Sequence, residues 1–415
     1  MLRIATSQIY QQGAKAMGER QVALAKVQQQ MATGQRILAN SDAPVGSARL
    51  RGLHEELAAN DQYQRNIGLA NGRLNLEETT LGDAGELLQR ARELTVQANN
   101  APLNDSDRRD IAKEIRQIHS QLFNLANTRD GNGEYLFAGF QSRTQPFVLD
   151  GNNQALYQGD QGQRLIKAGP SLAIPVGDSG DEVFRGALNG NGSFRVTAAA
   201  ANAGNGTIAT GSVIDPTAFR SQFTQPYYTV AFQVDSSTTP PTTTFNVTGA
   251  DGQPPSGFTN PQAYVDGQSI AFAGLQTAIG GTPANGDSFT LQPATRQDLF
   301  KTLDNLATAL ETGGGTPAKG AQLNQALANG LAELDQGLDH LAGARARVGA
   351  RLNALEEQEN ANGDFAVHLQ QTIDDVGGLD YAEAATRLSQ ETFVLQVAQQ
   401  SFLRIQNLSL FNYMR

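Results

Sequence analysis

An α+β, multi-domain chain is expected, in which both ends build an elongated antiparallel helical rod or coiled coil and the middle forms an inserted all-β domain. Three observations lead there. Residues 146–297 hold 12 of the 15 Pro and 20 of the 43 Gly, while the flanking arms are rich in Ala, Leu, Gln, Glu and Arg. Pro and Gly end helices and the arm residues favour them. Apolar residues recur every seven positions in the arms, and every two in the middle. The length of 415 residues allows about three domains.

The first arm opens with Tyr10, Met17, Leu24 and Met31 at strict seven-residue spacing, with Gly13 and Val27 between them. A seven-residue apolar repeat keeps one seam facing a partner helix. Ser41-Asp42 ahead of Pro44 reads as a helix cap followed by a proline in the first turn. A longer stripe follows through Leu53, Asn60, Ile67, Leu74, Leu81 and Leu88. Asn104-Asp105 can start the helix that carries Ile111, Ile115, Ile118 and Leu122, and GNGEYLFAGF beyond it reads as a β-hairpin.

In the middle, Tyr228, Val230, Phe232 and Val234 alternate with Thr229, Ala231 and Gln233. Shorter alternations occur at Phe194/Val196, Phe245/Val247, Ile270/Phe272 and Phe289/Leu291, separated by turn-rich pieces such as NGNGS, TTPPTTT and TPANGDS. This pattern predicts a sandwich or open barrel of short strands rather than a disordered linker.

The last arm repeats the heptad logic. One stripe runs through Leu331, Leu334, Leu338, Leu341, Arg345, Val348, Leu352 and Leu355. A second has Tyr381, Leu388, Leu395 and Phe402 every seven residues, with Ala384, Ala398 and Ile405 between. Helices at opposite ends of the chain can pair only if the chain returns on itself. The expected domains are therefore 1–40 with 375–415, then 41–145 with 298–374, then 146–297. The expected subunit-assembly seam is Tyr10, Met17, Leu24, Val27, Met31, Tyr381, Leu388, Leu395, Ala398, Phe402 and Ile405, although an ordinary intramolecular core is the commoner fate of such stripes.

Composition narrows the chemistry. There is no Cys, no Trp and only four His, which removes disulfides, Cys-bound zinc, iron–sulfur clusters and thiol nucleophiles. A net charge of −10 argues against an electrostatic nucleic-acid binder. No apolar run reaches the ~18 residues of a membrane span, and the start lacks the apolar stretch of a cleaved signal, so no membrane insertion and no cleaved leader are expected.

His54-Glu55-Glu56-Leu57-Ala58 begins like a zinc-protease motif but carries Ala58 where the second His must stand. The His residues read as helix-surface groups. Asp130-Gly-Asn132-Gly-Glu134 lacks the Gly and Glu that a calcium loop needs at Tyr135 and Gln141. Gly315-Thr-Pro-Ala-Lys-Gly320 runs into Ala321, not Ser or Thr, so no phosphate loop forms, and no GxSxG elbow exists. Glu77-Glu78 and Asp374-Asp375 read as solvated helix faces. No catalytic residue, metal site or cofactor site is assigned.

With these residues in view, the two arms resemble the bacterial flagellin family, and within it the branch that forms the hook–filament junction. The resemblance rests on RIATSQIYQQGAKAM (3–17), QQQMATGQRILANSDAPVGSARL (28–50), LAANDQYQRNIGLANGRLNLEETTL (57–81) and LLQRARELTVQANN (87–100), and continues through DRRDIAKEIRQIHSQLFNLANTRDGNGEYLFAGFQ (107–141) and LSQETFVLQVAQQSFLRIQNLSLFNYMR (388–415). It covers about 260 residues of arm. Ala43 stands where family members often have a second Asp.

The resemblance implies a non-enzymatic structural subunit, exported unfolded through the flagellar type III apparatus with an export chaperone and without a cleaved signal. It implies self-association into a ring between hook-associated protein 1 and the flagellin filament, outside the cell. The alternative within the family is flagellin itself. A rival of another class is an enzyme or glycan-binding function in residues 146–297, where Asp160, Asp178 and Asp181 are available but no His or Cys is.

Overall fold

The computed structural model describes residues 6–100, 104–151 and 154–413. In chain order, three helices come first: α1 (Thr6–Thr33), α2 (Pro44–Asn100) and α3 (Asp105–Ala126). Two short hairpins follow, β1 (Phe147–Leu149) with β2 (Ala155–Tyr157), and β3 (Leu165–Lys167) with β4 (Ala173–Pro175). Then come α4 (Gly180–Arg185), β5 (Phe194–Ala198), β6 (Thr207–Ile208), β7 (Ser212–Val213) and α5 (Pro216–Gln222). The middle continues with β8 (Tyr228–Asp235), β9 (Thr242–Gly249), β10 (Gln262–Ala263), β11 (Ser269–Phe272), β12 (Leu275–Gly280) and β13 (Ser288–Pro293). Three helices close the chain: α6 (Leu299–Thr312), α7 (Pro317–Gly377) and α8 (Tyr381–Tyr413). Long helices from both ends and a central antiparallel β region thus match the expected fold class.

The chain divides into two compact units, whose limits fall inside α2 and α7. The first comprises residues 1–66, 168–170 and 357–415. Here α1 and α8 pair, and a short antiparallel bridge at Gln35 and Gly378 joins the ends of the pair. Arg36 N donates to Gly377 O at 2.8 Å and Leu379 N to Gly34 O at 3.0 Å. Pro44 opens α2 as expected. Asp42 does not cap that helix. Its Oδ2 accepts from Leu38 N and Ala39 N, and its Oδ1 from Lys26 Nζ at 2.6 Å, so it closes the preceding turn. The heptad residue Asn60 is buried because it donates to Asn362 O at 2.9 Å, and Asn362 in turn donates to Ala168 O at 3.0 Å. A buried amide is tolerated where its hydrogen bonds are made.

The second unit comprises residues 67–167 and 171–356. Its helical core is a heptad seam: Ile67, Leu74, Leu81 and Leu88 of α2 and Leu327, Leu334, Leu341, Val348 and Leu355 of α7 are all fully buried. Ala70, Ala84 and Ala91, three residues on from the Ile and Leu positions, are equally buried. Alternating large and small layers let two helices approach closely. Cross-links at Arg345–Glu78 and Arg92–Asp335 fix the pair antiparallel.

Helix α3 packs on α6, and Arg116 clamps the pair through Asp304 at 2.9 Å and Glu311 at 2.6 Å. Hydrogen bonding to Glu311, ahead of Asp304, raises the Arg116 guanidinium above its ordinary value. The N-terminus of α3 is capped as the sequence suggests, with the Asn104 side chain accepting from Ser106 N and Asp107 N. Asn104→Ala should cost about 1 kcal/mol, measurable as a lower urea midpoint with an unchanged slope.

Around Phe300 gathers an aromatic cluster of Phe123, Phe147 and Phe184, with His119 edge-on at 5.8 Å. His119 is therefore buried, not a surface group, and desolvation lowers its pKa. Residues 146–185, compositionally part of the middle, contribute Phe147 and Phe184 to this helical core. The GNGEYLFAGF segment forms turns with one isolated bridge, Arg129–Tyr135, where a β-hairpin was expected. Tyr135, Leu136 and Phe137 are buried in the unit instead of lining a hairpin face.

The β region is a sandwich. One sheet has the order β10-β9-β8-β13-β5; the other has β11-β12-β6, with β7 also on β12. Phe194, Val196, Val230, Phe232, Val247, Phe289 and Leu291 from the first sheet share a core with Ile208, Ile270, Phe272, Leu275 and Ile279 from the second. Every alternation marked in the sequence became a strand with that register inward. The sandwich is tied to α7 by Gln325 Oε1, which accepts from Ile208 N at 2.7 Å, and by Asn329 Nδ2, which donates to Val196 O at 2.9 Å.

Candidate assembly surface

The heptad residues of the two terminal helices meet within the chain. Phe402 lies over Gly13: a Cβ placed there would stand 3.0 Å from the Phe402 ring. Arg20 pairs with Glu391 at 3.3 Å, and Tyr381 lies over Gly34, where a Cβ would stand 3.1 Å from its hydroxyl. These pairings set α1 and α8 antiparallel. Gly34 has φ +69°, which side-chain-bearing residues adopt with strain, and it ends α1.

Of the expected seam, Val27 is buried, while Met17, Leu24, Met31, Leu388, Leu395, Ala398 and Phe402 are half-buried and Tyr381 is exposed. Ala384, the intermediate position, is buried more deeply than most of them. The side chains of Tyr10 and Ile405 lie outside the described residues. So the stripe is real, but two helices alone bury only part of it.

The sequence pattern did not single out the opposite side of α8. Phe393 and Val397, two residues before and after Leu395, point away from α1 and are 66% and 45% exposed. Leu403 and, on α1, Val22 are exposed as well. These apolar side chains lie in water on an otherwise polar helix. No periodic rule flagged them, because the heptad register at 388, 395 and 402 already accounted for the helix.

The second unit carries a buried charge cluster at the positions where the α2 and α7 seam breaks its own pattern. Glu77 is 1% exposed, in a small-residue position of the α2 heptad, so the expectation of a solvated Glu77 face is corrected. Glu77 Oε1 accepts from Asp178 N at 3.0 Å, and Asp178 Oδ1 accepts from Arg351 Nη2 at 2.8 Å and Gln163 Nε2 at 2.8 Å. Arg73 completes the group, donating to Asp130 Oδ2 at 2.8 Å and to the Tyr135 and Leu136 carbonyls. Burial, then the neighbouring Asp178 charge, pushes the Glu77 carboxyl up to about 7.

Among the described residues, no group of three His, Asp or Glu side chains could hold a metal ion, and no helix is long and apolar enough to cross a membrane. Asp160 accepts from Phe140 N and Gly162 N, and Asp181 from Arg185, so these insert carboxylates act in turns and pairs.

Several known proteins are similar to this chain. Residues 4–142 match the family described as the bacterial flagellin N-terminal helical region. Flagellar hook-associated protein 3 of Escherichia coli is 25% identical over 410 residues, 99% of each chain. The protein of that name from Salmonella typhimurium is 32% identical over 185 residues, 44% of this chain and 57% of that one. The crystal structure of flagellar hook-associated protein-3 from Legionella pneumophila superposes with a TM-score of 0.74 at 32% identity, covering 79% of this chain and 98% of that chain.

Proposed function

The chain belongs to the flagellar hook-associated protein 3 family within the flagellins, and from that premise we propose that it is the adaptor between hook-associated protein 1 and the flagellin filament. It is a structural component of the flagellum. Its ring assembly, its two neighbours, an export chaperone and type III export without a cleaved signal belong to this reading.

One observation carries the proposal: the α1–α8 pair half-buries its own stripe and leaves Val22, Phe393, Val397 and Leu403 exposed. An adaptor needs a terminal domain that is partly satisfied alone and completed by neighbours. In the same reading the three-part division assigns the terminal pair to assembly, the helical body to spacing and the β sandwich to the outside.

The test is a strain lacking this chain. Electron micrographs should show hooks without filaments, with flagellin in the medium, and the full chain supplied in trans should restore filaments. Antibody labelling should mark one band at the hook tip. Filaments of normal length in the deletion strain would exclude the adaptor role. Label along the whole filament would favour a flagellin instead.

A further inference from the structure

Residues 146–297 hold only 6 of the 31 Lys and Arg in a chain of net charge −10. Three of those six, Arg185, Arg195 and Arg296, line one cleft of about 310 Å³, and Lys301 from the first turn of α6 joins them. We propose that this cleft binds a compact multivalent oxyanion.

The site stands on fixed elements. Arg185 ends α4 and Arg195 lies in β5. Arg296 sits on a segment held by Asn189 N donating to Thr295 O at 3.0 Å, Gln297 N donating to Ala187 O at 2.9 Å, and the Leu188–Arg296 bridge. Asn189 and Thr295 also exchange hydrogen bonds through their side chains and backbone. The cations are therefore presented by crossed backbone strands, not by a free loop.

The carboxylates nearby are already engaged. Asp181 Oδ1 accepts from Arg185 at 2.8 Å and its Oδ2 from Gln161 at 2.8 Å. Asp298 caps α6 by accepting from Lys301 N at 2.5 Å. Glu333, behind the cleft, accepts from Gln297 at 2.5 Å and stands 3.8 Å from Arg195 Nε. That buried Nε has no hydrogen-bond partner. Among the described residues the Arg296 and Lys301 side chains form no hydrogen bond or close ion pair, although the Lys301 charge, like that of Arg185, acts on Asp298. Four cations face two lining carboxylates, or three with Glu333. The unspent donors suit a ligand with at least two negative oxygens, because guanidinium groups bind phosphate and carboxylate by paired, charge-assisted bonds. Phosphate monoesters and polycarboxylates share that chemistry.

Titration calorimetry of the full chain at low salt, with inorganic phosphate and with citrate as separate probes, tests the site. Saturable binding of either is expected, weakening as salt rises. Phosphate alone would point to phosphate-bearing ligands and citrate alone to polycarboxylates; both results uphold an oxyanion site. R296Q/K301Q should weaken binding by about tenfold per lost contact. Both side chains are exposed, so the variant should melt like the parent. R220Q, on α5 and outside the residues that line the cleft, should bind as the parent does. Failure of both probes to saturate, or equal weakening by R220Q, overturns the proposal.

Discussion

Arg351→Ala should destabilise the helical body by about 3–5 kcal/mol, because it strands Asp178 and Glu77 as neighbouring buried carboxylates. Asp178 is fully buried and Arg351 is partly buried, their contact is 2.8 Å, and Glu77 lies beyond it with one oxygen, Oε2, unpaired. Arg73 already acts on Glu77 and keeps a free Nε, but both its terminal nitrogens are engaged by Asp130, Glu134 and two carbonyls, so it should offset only part of the loss. The effect should depend on pH in a defined direction. Glu77 has its folded pKa raised from 4.5 to about 7, so the folded state holds a proton that the unfolded chain releases. Stability from this group is greatest at acid pH and falls as pH rises from about 4.5 through about 7. The Arg351→Ala deficit should therefore be larger above neutrality than near pH 5, where protonated Glu77 relieves the clash. Glu77→Gln in the same chain should recover much of the loss, and its own stability should be flatter with pH. Urea unfolding across that range, followed by calorimetry, reads each of these. An Arg351→Ala chain that unfolds like the parent above neutrality would show that the pair contributes nothing.

The second large effect separates the two sides of α8. Phe402→Asp places a carboxylate over Gly13 and exchanges the partial burial of a Phe ring, roughly 1–2 kcal/mol, for a desolvation cost. The α1–α8 pair should open, read as lost helical ellipticity and fast amide exchange near residue 402. The main transition of the second unit should hardly move, since its seam runs through Ile67–Leu88 and Leu327–Leu355. Phe393→Asp changes an exposed residue, so the isolated pair should stay helical while filament attachment and motility are lost. Glu383→Ala, an exposed position off the stripe, should behave as the parent. If Phe393→Asp cells swim, the outward face of α8 is not an assembly surface. If Phe402→Asp cells swim, the inward stripe is dispensable too.

How far the sequence reached is clearest in the strands. Tyr228–Val234 and its four shorter companions alternate because one side of each strand must be apolar, and that requirement is local. The same holds for Ile67, Leu74, Leu81 and Leu88, whose spacing alone predicts a buried seam. The short hairpins at 147–157 and 165–175 carry too few alternating residues to announce themselves, and the GNGEYLFAGF segment satisfied its backbone through turns and distant partners. Glu77 misled for a similar reason. Next to Glu78 it looks like an exposed face, yet the heptad position it occupies points inward, toward an Asp and an Arg that are 101 and 274 residues further along the chain. No local rule links those three.

Helix, strand, the two helical arms and the family resemblance were set by the sequence itself, because periodicity and turn chemistry act over a few residues. Which stripe faces which was decided only in three dimensions. Phe402 met Gly13 within the chain, Phe393 was left outside, and Arg351 came to neutralise Asp178. Each outcome depends on contacts between segments hundreds of residues apart, and such contacts form only when the whole chain closes on itself.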